Sequence, residues 1–164
     1  MRTAKLTLVV AALVLTSTAL QAQTNNASIT ATASVQTPIN VVGAQALDFG
    51  NVFPGVNKTI AATDLTNGGR FDVTGQASTP VTLSFTLPAS LSSGGNTMPI
   101  VSYTGVHAQN AVQTGGVAFA PAAGANPTLS AGGALFVWVG AQVQPATNQA
   151  AGVYAGSISM TVVY

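Results

Sequence analysis

Gly152-Val-Tyr-Ala-Gly-Ser-Ile-Ser-Met-Thr-Val-Val-Tyr164 reads as a turn feeding one alternating strand. Side chains in a strand point to opposite faces in turn. Ile158, Met160, Val162 and Tyr164 therefore share one face, and Ser157, Ser159 and Thr161 share the other. A half-buried antiparallel strand needs that pattern. A core strand that closes the sequence offers its edge to a partner, so the stretch points toward assembly rather than chemistry.

Upstream of it, short runs of Thr, Val, Ala and aromatic residues are punctuated by Gly, Pro and Asn, and no segment carries a helical period. The expected class is all-β. Strands are expected at residues 27–35, 39–42, 47–52, 70–76, 79–87, 98–106, 134–143 and 154–164. Turns fall at Phe53-Pro-Gly55, Asn67-Gly-Gly69, Ser93-Gly-Gly-Asn96, Gly115-Gly116, Gly132-Gly133 and Ala151-Gly152. Their spacing resembles that of a Greek-key β-sandwich, with Tyr154 at the start of the last strand in position for a tyrosine-corner contact. Residues 108–131, rich in Ala, Gly and Pro, read as a long surface excursion, and residues 63–69 as a loop.

The first residues set the expected compartment. Met1-Arg-Thr-Ala-Lys5 is a short basic region, residues 6–15 form an apolar stretch too short to span a bilayer, and small or polar residues follow. This is the pattern of a cleavable signal peptide over residues 1–22, with cleavage after Ala22 or, alternatively, after Ala19. The exported chain, residues 23–164, is long enough for a single domain with its own core. Its destination is the periplasm, the cell surface or the extracellular space, with no membrane insertion after the signal is removed.

Loss of the signal peptide leaves Lys58 and Arg70 against Asp48, Asp64 and Asp72, a formal charge of minus one. Such a chain has no basic patch for nucleic acid and no polybasic segment for an anionic membrane. Cysteine is absent, which excludes a disulfide framework.

Catalysis has little raw material. Glu and Cys are missing and His107 is the one imidazole, so His107 reads as a locally bonded histidine rather than a general base or metal ligand. Asp48 lacks a nucleophile elbow to serve. Asp64 and Asp72 bracket Asn67-Gly-Gly69 without calcium-loop spacing and read as solvated turn residues. The expectation is a non-enzyme without cofactor or metal. In 134–143, Leu135, Val137 and Val139 fall on one face and Phe136 and Trp138 on the other. Trp138 is either an exposed platform for a sugar ring or a neighbouring subunit, or is buried under a loop such as the 108–131 excursion.

Three segments together resemble a known family: Leu47-Asp-Phe-Gly-Asn-Val52, Val137-Trp-Val-Gly-Ala-Gln-Val-Gln-Pro145, and the terminal Gly-x-Tyr-x-Gly strand. They resemble the secreted bacterial family called domain of unknown function 4402 and are more distantly similar to spore coat U proteins and archaic chaperone-usher pilins. The pilin resemblance implies an immunoglobulin-like Greek-key β-sandwich lacking one strand, its gap filled by an N-terminal segment of the next subunit, with self-association or a periplasmic assembly chaperone as partner. Residues 27–35 have the form of such a donor. Ala27, Ile29, Ala31, Ala33 and Val35 alternate with polar residues, and Pro38 interrupts pairing before Ile39. The same residues also fit an ordinary first strand of their own domain. The expected function is a surface or pilus-like filament subunit. The alternative is a self-contained extracellular binding module, for example for glycan, using Trp138 and loop Asn or Gln residues.

Overall fold

The computed structural model describes residues 25–164, and the signal-peptide reading of residues 1–22 lies outside them. The described chain is all-β. Its strands are β1 (Asn40–Gln45), β2 (Lys58–Ile60), β3 (Gly69–Thr74), β4 (Thr82–Thr86), β5 (Ser90–Ser93), β6 (Asn96–Ala108), β7 (Val117–Phe119), β8 (Ala134–Val143) and β9 (Ser159–Val163), with one short 3-10 turn at Pro121–Ala123. Residues 25–34 fall in a different unit from Val35–Tyr164. Residues 25–39 carry no strand assignment, so the strand expected at 27–35 is not formed.

β8 is apolar at almost every position, as a strand covered on both faces must be, and it is the centre of the larger sheet. One edge pairs antiparallel with β6, the other with β3 over its first half and β2 over its second. The order runs β1-β3-β8-β6-β5, with β7 added to β6. β4 and β9 form a separate antiparallel pair. The turn between β5 and β6 has Gly94 and Gly95 at φ 52° and 89°, inside the pair Ser93 with Asn96. Positive φ at both central positions is what a two-residue hairpin requires, and Gly-Gly supplies it without steric cost.

The β4–β9 pair packs against the larger sheet through Val73, Leu83, Leu129, Leu135 and Val137, with Ile39, Val41, Met160 and Val162 against them. β9 keeps its expected alternation: Met160 and Val162 are half-buried, Ser159 and Thr161 exposed. Burial of one full Leu or Val side chain contributes about 1.5–3 kcal/mol, so this cluster is the main apolar support of the domain.

Two expectations are corrected. The 108–131 excursion is part of the framework. It supplies β7, and its later part bonds to the chain around β4 through Leu83 N–H to Ala125 O (2.8 Å), Val81 N–H to Pro127 O (2.9 Å) and Leu129 N–H to Thr79 O (3.0 Å). Leu129 is only 1% exposed. Backbone pairing and one buried Leu therefore order a segment whose composition reads as loop. Residues 47–52, expected as a strand, form no ladder. Asp48 Oδ1 accepts from Gly50 N–H at 2.7 Å and Gly50 has φ 55°, a local turn that draws the chain out of extended pairing.

Candidate functional site

Among the described residues, β1 and β9 each present one edge with no strand partner, since β1 pairs only with β3 and β9 only with β4. Both approach the same apolar cluster with Ile39, Val41, Met160 and Val162. Further along they separate. Between the continuation of β1 (residues 46–52) and the segment leading into β9 (residues 152–158) lies a groove of about 690 Å³. Phe71, Leu91, Met98, Ile100 and Val139 line it. They extend a core cluster of Met98, Ile100, Ala141 and Val143, against which Leu47, Phe49, Val52 and Tyr154 lie only partly buried.

The groove walls are held by their outer sides. Asp48 N–H donates to Asn67 O at 2.9 Å, and Ala155 exchanges hydrogen bonds with Ser92 at 3.0 and 2.9 Å. Leu91 stands opposite Met98 in the β5–β6 ladder. Tyr154 fixes the far end: its hydroxyl donates to Ala150 O at 2.9 Å, four residues upstream, and accepts from Gln149 Nε2 at 2.6 Å. The hydroxyl does reach backbone a few residues upstream, but from the segment ahead of β9 rather than from the start of that strand, and it anchors the groove wall. Tyr103 donates to Pro88 O at 2.7 Å, and burial pushes its phenol up to about 12.

Of the residues singled out from sequence, Ile158 lines the groove and Met160 and Val162 pack on the main core. The Tyr164 ring is partly exposed while its hydroxyl accepts from Gln76 N–H at 2.7 Å and donates to the Thr37 carbonyl. Ala27, Ile29, Ala31, Ala33 and Val35 are all exposed, Ile29 at 95% and Val35 at 96%.

Trp138 is not a surface platform. It is 1% exposed, in a cluster with Ala62, Val106 and Ala108. The physical reason is Gly140. A Cβ there would lie 2.3 Å from Ala62 N and 2.4 Å from Ile60 O, so only glycine lets the chain after β2 cross β8 closely enough to place Ala62 by the indole. The excursion contributes to that cover, as Gln113 Nε2 donates to Ala62 O at 2.8 Å.

The remaining polar candidates are occupied by their own surroundings. Asp64 accepts from Thr66 N–H, Asn67 N–H and Asn67 Nδ2 at 2.9, 3.0 and 2.9 Å. The Asn67 side chain and then the two backbone donors hold its carboxyl below the usual range. Asp72 pairs side-on with Arg70, Nε to Oδ1 at 2.8 Å and the second guanidinium nitrogen to Oδ2 at 3.1 Å. The His107 ring lies 5.7 Å from that of Phe119, and burial lowers its pKa. No group of three or more His, Cys, Asp or Glu side chains able to hold a metal occurs among the described residues. No described helix is long and apolar enough to cross a membrane.

The groove lining at Leu91, Met98 and Ile100 was missed by sequence reading. The signal was the Ser93-Gly-Gly-Asn96 turn, which folds Leu91 back onto Met98 once a short Ser-rich strand is allowed before it. No protein-family model matches the chain, and no curated protein matches it.

Proposed function

We propose that the protein is an exported structural subunit that joins to further copies of itself by β-strand addition, forming a surface-associated or filamentous assembly. The fold is then an immunoglobulin-like Greek-key sandwich short of one strand, and the groove is the place of that strand. One observation carries the reading: beyond the edges of β1 and β9, which have no strand partner among the described residues, an apolar groove opens between the segments that continue them, residues 46–52 and 152–158. An unpaired edge is a template for another chain, and a soluble domain ordinarily blunts it or covers it.

The occupant that fits is the 27–35 segment of another copy. It has strand length, no ladder of its own, and an alternating apolar face on which Ile29 and Val35 are the large residues. Their burial contributes about 1.5–3 kcal/mol each, and each new backbone hydrogen bond about 0.5–1.5 kcal/mol. Those gains oppose about 4–15 kcal/mol of lost translational and rotational freedom. A strand paired on both edges makes the balance favourable, whereas two apolar contacts alone would not. A periplasmic chaperone that lends a strand to the groove would keep subunits apart until they are joined.

Ile29→Asp tests the reading. A carboxylate entering an apolar pocket unpaired is disfavoured by several kcal/mol, so the variant should stay monomeric by size-exclusion chromatography with light scattering. Wild-type protein should form a ladder of larger species, and Ser28→Asp, on the opposite face, should resemble wild type. Wild-type protein that remains monomeric at high concentration, in the absence of any chaperone, would refute self-assembly.

A further inference from the structure

Thr37 is held by both of its backbone groups. Its N–H donates to Gln76 Oε1 at 3.2 Å, and its carbonyl accepts from the Tyr164 hydroxyl, which itself accepts from Gln76 N–H at 2.7 Å. Thr37, Gln76 and Tyr164 thereby close a ring of hydrogen bonds. Gly75 makes room for it, because a Cβ at that position would lie 2.7 Å from the Tyr164 hydroxyl oxygen. The ring joins the chain just ahead of β1 to the end of β9, at the opposite end of these two strands from the groove. It is the only side-chain hydrogen-bond link between the two among the described residues.

That position has a consequence for residues 27–35, which are covalently attached beside it. To enter the groove of its own copy, the segment must reverse at residues 36–38 and run antiparallel to β1. Two-residue reversals that match strand twist need positive φ at the first central position. With Thr37 and Pro38 as the central pair, a β-branched residue must take positive φ, and the proline ring excludes the turn with positive φ at both. With Gln36 and Thr37 as the pair, Pro38 forces Thr37 to stay extended where the turn needs ψ near zero. A longer reversal has to carry the chain around Thr37, whose N–H and carbonyl are both already bonded within the ring.

The geometry points to the Tyr164–Gln76–Thr37 ring, together with Pro38, as a latch against self-insertion that reserves each groove for the 27–35 segment of a second copy. Without such a latch the attached segment would compete at high effective concentration and end the chain at every subunit. Tyr164, Gln76, Thr37 and Pro38 are positioning residues in this scheme. The inference rests on the strand-addition reading, and its test separates the two.

The test compares the exported chain with two variants, all refolded at high dilution, by hydrogen exchange of the 27–35 amides in the monomer fraction and by the polymer share after concentration. The first variant is Tyr164→Phe, which keeps the ring and removes the hydroxyl. The second adds Thr37→Asn and Pro38→Gly, which supplies an Asn-Gly hairpin turn. In wild-type monomer the 27–35 amides should exchange like a free peptide. In the triple variant they should slow at least tenfold and the polymer share should fall, with Tyr164→Phe between the two. A folded triple variant whose 27–35 amides still exchange freely, or a wild-type monomer in which they are already protected, would overturn the latch. If wild-type protein never polymerises yet the triple variant gains protection, the latch stands and assembly between copies fails. If polymers form and protection is unchanged, assembly stands and the latch fails.

Discussion

The core beneath β1 and β9 is built from the same kinds of residue at its two ends, and the ends finish in different states. At one end Ile39, Val41, Met160 and Val162 close over Val73, Leu83, Leu135 and Val137, which are almost fully buried. At the other, Leu47, Phe49, Leu91 and Tyr154 stand half-buried around Met98 and Ile100, and the groove opens between them. Composition does not separate the ends. What differs is whether a strand edge has come close enough to its neighbour to exclude water, and apolar surface contributes only in proportion to the water it sheds. One end of the core is finished by its own chain and the other is not.

The largest effect should come from thinning the finished end. Leu135→Ala removes a fully buried side chain and should lower unfolding free energy by about 2–5 kcal/mol in urea denaturation of the monomer. Leu91→Ala, at the open end, should cost about 1 kcal/mol in the same measurement, because its side chain is only half removed from water. Equal losses would break the comparison.

Filling the open end from outside comes next. A synthetic peptide of residues 25–36 at one hundred times its dissociation constant should stabilise the dilute monomer by about 2.7 kcal/mol, read as a rise in Tm. A peptide carrying Ile29→Asp should leave Tm where it was. An equal rise with both peptides would show that the groove does not select an apolar strand face.

Smaller still is Tyr154→Phe. It removes the hydroxyl that bonds Ala150 O and accepts from Gln149, and should cost about 1 kcal/mol. Its sharper signature is local, since the wall at residues 152–158 should exchange its amides faster while β8 is unaffected.

Much of the finished end was legible in the sequence, and the reasons are specific. β8 is found at residues 134–143 as expected, because a near-continuous apolar run has few other ways to be buried. β9, Ser159–Val163, falls inside the strand expected at 154–164 and keeps its alternation, while residues 154–158 stay outside the ladder as a groove wall. β2 and β7, three residues each, and the Ser-rich β5 were not legible, since their partners on β8 and β6 rather than their own propensities make them strands. The burial of Trp138 was left open because it depends on Gly140 admitting the chain after β2. The open end was the least legible of all. A groove is the lack of a neighbour, and no residue in Leu47-Asp-Phe-Gly-Asn-Val52 announces which edge will stay unpaired.

The smallest effects are those of pH, and each end has a titratable group whose pKa burial shifts. His107 lies beside Phe119, which packs on the finished cluster, and burial lowers its folded pKa below the ordinary 6.5. The unfolded chain therefore binds the proton first as pH falls. The stabilisation from keeping His107 neutral is whole above pH 6.5 and is lost as pH drops through the lower folded value. Tyr103 packs against the open-end cluster, and burial raises its folded pKa to about 12 from 10.0. Here the unfolded chain loses the proton first, so stability is intact below pH 10 and declines as pH rises toward 12. Urea midpoints measured across the range should show a shallow fall beginning just below pH 6.5 that His107→Gln removes, ahead of the carboxylate range where Asp64 titrates, and an alkaline fall that Tyr103→Phe reduces. Neither ring lines the groove, so occupying it with the 25–36 peptide should raise the midpoint and leave the shape of both limbs unchanged. A peptide that altered either limb would mean that filling the groove is felt through the core beneath it.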